Sequence, residues 1–316
     1  MSRPRLLLHA GFHKTGTTAI QEFAAGNREA LQSLGICYPA FKPSGVAKNQ
    51  SHNRLAHSLA RTGKSGALDD VEVRRLLKWW RILCGEYRLF VSAEALSRHV
   101  DPVGGADWKR QRIAYLQRSG RFLADFEVEP ILVLRRQADF VHSVYFENIM
   151  KASRRGFWPF ARFRDYLAER HLRFEDNIDA FVEVFGNVRV LIYEDLACSD
   201  AFCARFFEDL GVDVHGLVEP GRVRASLSPG QARIKRTLLP VIFTPAQSRW
   251  INAALRNPRI KRLAERILDD GGTGMWEGVS SRNDWQRRYE QENERIRARF
   301  LPERAALFPA DGETGT

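Results

Sequence analysis

The chain has 316 residues, 44% hydrophobic and 28% charged. That is a globular composition with enough apolar material for a sizeable core, and it excludes disordered and fibrous classes. The formal net charge of +11 leaves three kinds of partner to weigh: an anionic cofactor, an anionic acceptor such as a polysaccharide, and nucleic acid. No run reaches the roughly 18–20 apolar residues of a membrane span, and no charged segment followed by an apolar one marks a signal peptide. The four cysteines, Cys37, Cys84, Cys198 and Cys203, contain no C-x-x-C pair and no metal-ligand spacing. Reduced thiols, mostly small core residues, in a cytoplasmic protein are the expectation.

An apolar run, Leu6-Leu7-Leu8, leads into Ala10-Gly11-Phe12-His13-Lys14-Thr15-Gly16-Thr17-Thr18. Ile20, Phe23, Ala24, Leu31 and Leu34 then recur at helical spacing, so the stretch reads as strand, tight loop, helix. A glycine-bearing loop with a lysine, opening onto a helix N-terminus, is suited to a phosphate-like anion. Gly11 and Gly16 keep the spacing of the Walker pattern G-x-x-x-x-G-K-[ST], and Thr18 stands at its last position. Thr17 occupies the lysine position and the lysine is Lys14, inside the loop. That placement suits a shorter ligand, with one phosphate at the loop and the reacting group just beyond it.

Next come a short extended piece at 36–38 and a polar stretch, 41–70, with a short helix near 53–60. Residues 71–84 carry helical periodicity, 88–93 read as a buried strand ending at Glu94, and 107–126 as an amphipathic helix. A strand at 128–134 runs directly into Arg135, followed by a helix at 138–152 and a basic, aromatic loop at 153–160. Helices near 163–169 and 178–185, a strand at 188–193 and a helix at 200–210 follow. Alternating strands and helices imply a parallel sheet, with binding at the carboxyl ends of the strands. Lys14, Glu94 and Arg135 each fall just after a strand. Beyond 215 the pattern is helical and basic to about 268, with a break at 271–274, a charged helix at 283–300 and a tail expected to be disordered. The resulting domains are an α/β core at 1–215, a helical C-terminal extension at 216–305 and a tail at 306–316.

The segment His13-Lys14-Thr15-Gly16-Thr17-Thr18, with Gln21 after it, resembles the 5′-phosphosulfate loop of sulfotransferases that use 3′-phosphoadenosine 5′-phosphosulfate (PAPS). In that family an arginine ending a strand and a serine eight residues on hold the 3′-phosphate. Arg135, Asp139 and Ser143 match the pattern, with Gln137 where the family has proline. The resemblance is strongest over 5–150 and is closer to bacterial carbohydrate-type sulfotransferases than to the aryl kind. Ala19 stands where aryl enzymes stack adenine on a tryptophan, and of their late phosphate loop only Asp284-Trp285 and Asn293 find counterparts.

The resemblance implies a three-layer, P-loop-like α/β fold with a central parallel sheet, PAPS as sulfate donor and no metal. His13, Lys14, Thr15, Gly16, Thr17, Thr18, Arg135 and Ser143 would bind the donor. The acceptor would be a hydroxyl or amine of a small molecule or saccharide. Lys14 is the charge clamp for in-line sulfuryl transfer. Glu94, in the place where relatives carry a His or Glu, is the first candidate base, and His52, in the polar loop, the second. His13 is placed to touch the sulfate. Lys48, Arg154, Arg155 and Trp158 are where an acceptor would be met. The competing classes are a P-loop kinase or NTPase, against which the displaced lysine counts, and a nucleic-acid binder, for which no motif appears. No nucleic acid partner is expected, and the oligomeric state stays open.

Overall fold

The computed structural model describes residues 3–41, 50–60, 66–101, 103, 105, 107–221, 229–242, 244–268, 275–276 and 279–308. Five strands form one sheet: β1 (Arg5–His9), β2 (Ile36–Cys37), β3 (Arg88–Ser92), β4 (Glu127–Leu134) and β5 (Arg189–Ile192). Their order is β2-β3-β1-β4-β5, and every pairing is parallel. Leu6, Leu7 and Leu8 are at most 1% exposed, because a central parallel strand is covered on both faces and so reads as an unbroken apolar run.

Helices α1 (Thr17–Gly26) and α2 (Arg28–Ser33) follow β1, and α3 (Asn53–Leu59) and α4 (Asp70–Cys84) lie between β2 and β3. Helix α5 (Trp108–Phe122) leads to β4, and α6 (Gln137–Met150), α7 (Phe160–Ala168) and α8 (Phe174–Phe185) precede β5. Then come α9 (Tyr193–Ala197), α10 (Phe202–Glu208), α11 (Pro229–Leu238), α12 (Pro245–Leu255), α13 (Pro258–Leu268), α14 (Val279–Arg287) and α15 (Glu290–Phe300). The basic stretch up to 268 is thus three helices. Pro245 and Pro258 each open a new one, where the missing N–H costs nothing. No helix among the described residues is long and apolar enough to cross a membrane.

The chain leaves β1 towards β2 and β3 and leaves β4 towards β5, so the strand order reverses between β1 and β4. The crevice at the carboxyl ends of those two strands is where open α/β sheets bind ligands.

The chain forms two compact units, one of residues 1–135, 174–223 and 294–316, the other of 136–173 and 224–293. This differs from a cut at 215 in two ways. Helices α6 and α7 belong with the helical segment, where α6 packs on α11 and α14. The end of the chain belongs with the sheet. There Arg295 pairs with Glu175 at 2.7 Å, Arg299 with Asp179 at 2.6 Å, and Arg304 with Asp195, while Leu307 is buried. Residues 306–308 of the expected tail are therefore part of this packing, and residues 309–316 lie outside the described ones.

Helix α4 opens with an Asp69–Glu72 capping box and buries Val73, Leu76, Leu77, Trp80 and Cys84 along one stripe. At its end Cys84 is disulfide-bonded to Cys37 of β2, which corrects the expectation of reduced thiols for this pair. Such bonds persist in oxidising compartments, so the cytoplasmic expectation loses the support it drew from them. Cys203 is a buried core residue as expected, and Cys198 is exposed. The sequence separation is 47, for which loop-closure entropy predicts roughly 3–4 kcal/mol. Reduction, or Cys84→Ser, is expected to lower the urea midpoint accordingly, and an unchanged midpoint would count against the bond's contribution.

In the second unit the fully buried Lys235 donates from Nζ to Ser248 Oγ at 3.0 Å, to Asn252 Oδ1 and to Met150 O. Met150 O also accepts from Asn252 Nδ2 at 3.1 Å. The last carbonyl of α6 is thereby satisfied by α11 and α12 together, which is how a buried helix end must be closed.

Candidate anion-binding site

The loop after β1 is shaped from both ends. Ala10 N donates to Ile131 O at 3.0 Å, extending the β1–β4 register one residue past the strand. A Cβ at Gly11 would lie 2.6 Å from His9 Nε2, so only glycine fits there. Phe12 packs on Phe174 with centroids 4.9 Å apart. Thr15 is fully buried and donates from Oγ1 to Phe12 O at 2.6 Å. Its hydroxyl proton is thus given to the loop's own backbone, which braces the turn.

Lys14 and Gly16 take positive φ of 64° and 75°, which turns the chain into α1. Gly16 is the N-cap, no side chain caps it, and no acid stands in the first turn. Such an end keeps its N–H donors and its dipole for an anion. Thr17 is 3% exposed, and its Oγ1 is buried without a hydrogen-bond partner.

Arg135 follows β4 across the crevice. Its Nη1 donates to Lys14 O at 2.9 Å and its guanidinium lies 4.6 Å from the Tyr193 ring centroid. Its Nε is buried without a partner. Tyr193 in turn meets Phe202 with centroids 5.9 Å apart. Arg135 thus holds the loop's backbone while keeping one N–H unspent. Ser143 lies on α6 in the second unit, so the sequence motif's arginine and serine are divided between the two units.

Glu94 follows β3 as expected and begins a 3-10 turn, Glu94–Ser97. Its Oε1 lies 3.4 Å from His13 Nδ1. Burial pushes the carboxyl up, but the His13 hydrogen bond and the charges of His13, Arg98 and His9 outweigh it and hold the group at about 2. A carboxylate held that low is a weak proton acceptor. His13 Nε2 is buried without a partner.

Behind this pair stands a polar cluster that sequence reasoning missed, centred on Ser92. Ser92 Oγ lies 3.0 Å from His9 Nδ1 and accepts from Gln21 Nε2 at 3.1 Å. Ser92 N donates to His52 Nδ1 at 3.1 Å. Gln21 was visible as the last letter of the loop motif, but nothing local marks Ser92.

His52 is corrected outright. It is 1% exposed, set edge-on to Tyr38 and Trp80. With Nδ1 accepting from Ser92, the proton sits on Nε2 and is donated to Pro39 O at 2.9 Å. Both nitrogens are used, which removes the reason for casting His52 as base. Burial, the largest effect, lowers its pKa to about 4, and burial does the same for His9 against the opposing charge of Glu94. Below about pH 6.5 an unfolded chain takes up protons that these buried rings refuse. Stability is therefore expected to fall as pH drops from about 6.5 towards 4, on the order of 2–3 kcal/mol per histidine. Glu94 adds a further loss below its ordinary carboxylate range. Urea midpoints at pH 7 and 5 check this: His52→Gln should flatten the slope, and an equal slope in both proteins would overturn it.

In the second unit Gln137 is fully buried. Its Nε2 donates to Asn293 Oδ1 and its Oε1 accepts from Gln286 Nε2, both at 2.6 Å. That amide cluster accounts for glutamine where the related pattern has proline. Asp139 pairs with Arg282 at 2.7 Å. Arg154 and Arg155 are exposed in a 3-10 turn, and Trp158 carries Arg162 at 4.5 Å from its ring centroid. Lys48 lies outside the described residues. Among the described residues no cluster of three or more His, Cys, Asp or Glu side chains could hold a metal ion. Set against protein-family models, curated proteins and solved structures, the chain matches none of them.

Proposed function

We propose that the chain is a PAPS-dependent sulfotransferase that moves the sulfuryl group to a hydroxyl or amine of a small-molecule or saccharide acceptor. The observation that carries this reading is the set of unspent polar atoms around one loop: Thr17 Oγ1, His13 Nε2 and Arg135 Nε, all buried without partners. They stand with Lys14 at an uncapped helix N-terminus, at the point where the strand order reverses. Each is a polar atom that an oxyanion held at the loop could satisfy. Lys14, inside the loop, is suited to the bridging oxygen of a phosphosulfate, while Thr17 stands where a nucleotide triphosphatase has its lysine.

In the proposed reaction the acceptor oxygen attacks sulfur in line, the bond from sulfur to the 5′-phosphate oxygen breaks, and that oxygen leaves with the electron pair. Transfer then depends on positioning and on cations at the leaving oxygen. Thermal-shift titration with PAPS, adenosine 3′,5′-bisphosphate and ATP, followed by radiolabelled sulfate transfer to an acceptor panel, tests this. Stabilisation by the first two is expected, and a response to ATP with Mg²⁺ alone would overturn it. Arg135→Ala is expected to weaken PAPS binding by about tenfold or more, through the lost Nε–H and the loosened Lys14 carbonyl. Unchanged affinity would remove that assignment.

A further inference from the structure

Glu94 is the residue that sequence position nominates as base, yet its carboxylate is already engaged by His13. The imidazole is bonded on one side by Glu94, with Nδ1 and Oε1 at 3.4 Å. Its other nitrogen, Nε2, is turned from solvent and has no partner. His13 sits inside the loop, beside Lys14. The same loop and the helix it opens carry the Lys14 ammonium, the Thr17 hydroxyl and the first N–H groups of α1, and Arg135 is bonded to the loop at Lys14 O; all of these can donate to an anion. Towards an anion at this loop a lone pair on Nε2 would be repulsive, whereas an N–H would bind.

We propose, resting on the sulfotransferase reading above, that His13 acts as an imidazolium whose Nε2–H binds the donor's phosphosulfate, with Glu94 as the counter-ion that positions it and not as the base. The chemical class recognised is a phosphate or sulfate oxyanion. During transfer the acceptor oxygen bonds to sulfur, the sulfur–oxygen bond to the 5′-phosphate breaks, and negative charge collects on the departing oxygen, where Lys14 and the imidazolium share it. The acceptor's proton leaves to bulk water. Around the pair the charged and titratable groups are Glu94, Arg98 and His9, which act on the carboxylate, with Lys14 and Arg135 at the loop.

This assignment has the opposite pH sign from general-base catalysis. A base gains activity as pH rises through its ionisation, while an imidazolium donor loses it. The test is calorimetric titration of adenosine 3′,5′-bisphosphate at several pH values, in buffers of different ionisation heat, with PAPS turnover followed alongside. Wild-type protein is expected to take up a proton on binding at alkaline pH, and its turnover should fall as pH rises. In His13→Gln the uptake should vanish and affinity should drop about tenfold. In Glu94→Gln both the uptake and the falling limb should move to lower pH.

Binding without proton uptake, identical in His13→Gln, would overturn the role of His13 while leaving the sulfotransferase reading intact. So would Glu94→Gln abolishing turnover with affinity unchanged. No binding of either nucleotide by the wild-type protein would remove the sulfotransferase reading itself. Thermal midpoints of both variants separate a failure to fold from a loss of binding.

Discussion

Lys14→Ala is expected to lower sulfate transfer by about two to three orders of magnitude and to leave the thermal midpoint near that of the wild type. The reason lies in what each part of Lys14 does. Its backbone carries the loop's first positive φ, and its carbonyl accepts from Arg135. Alanine keeps both, since neither depends on the side chain and each residue bears a Cβ at that φ. The ammonium is lost, and with it the cation proposed for the leaving oxygen. The measurement is single-turnover transfer of radiolabelled sulfate from PAPS, with binding of adenosine 3′,5′-bisphosphate beside it. Loss of transfer with binding largely kept would place the charge in the transition state rather than the ground state. Turnover at the wild-type level would end the assignment.

Gly16→Ala is expected to damage binding and fold together. At φ 75° a side chain is strained wherever it stands, and here a Cβ would lie 2.1 Å from Phe202 Cζ and 2.5 Å from Cε1. Phe202 also lies beside Tyr193, which carries the Arg135 guanidinium, so a displaced ring would press on the site's arginine. Backbone strain and overpacking together predict a loss of roughly 2–5 kcal/mol, with weakened PAPS binding as the loop shifts. The double variant Gly16→Ala, Phe202→Ala removes the clash and not the strain. It should recover part of the stability, and no recovery would mean that the ring is not what excludes a side chain.

What could be read in advance follows from how local the signal is. Strand β1 and the loop were legible because a strand covered on both faces is a plain apolar run, and because glycine, lysine and threonine crowd one turn. The placement of Glu94 and Arg135 at strand ends was legible for the same reason. Their partners were not. The hydrogen bond from Arg135 to Lys14 O joins residues 121 apart, and no pattern along the chain encodes it. His52 looked like an exposed loop residue because its neighbours are polar, and its burial comes from Trp80 and Tyr38. The Cys37–Cys84 bond, separated by 47 residues, has no spacing signature. The division into two units differs from a single cut at 215 for a related reason. Helical periodicity shows that α6 and α15 are helices but not what they pack against.

Lys235 offers a use beyond the closing of α6. An ammonium wholly enclosed, with burial and the Arg256 charge bringing its pKa down to about 8, is chemically inclined towards acylation yet out of a reagent's reach. Its rate of modification by an amine-reactive ester is therefore gated by local opening of the helical unit, much as amide hydrogen exchange is. Release of Cys37 and Cys84 to a thiol reductant would give the corresponding clock for the sheet unit. Mass spectrometry of the two products from one sample would rank the two units by opening free energy, and repeating it with donor present would show which unit the ligand tightens.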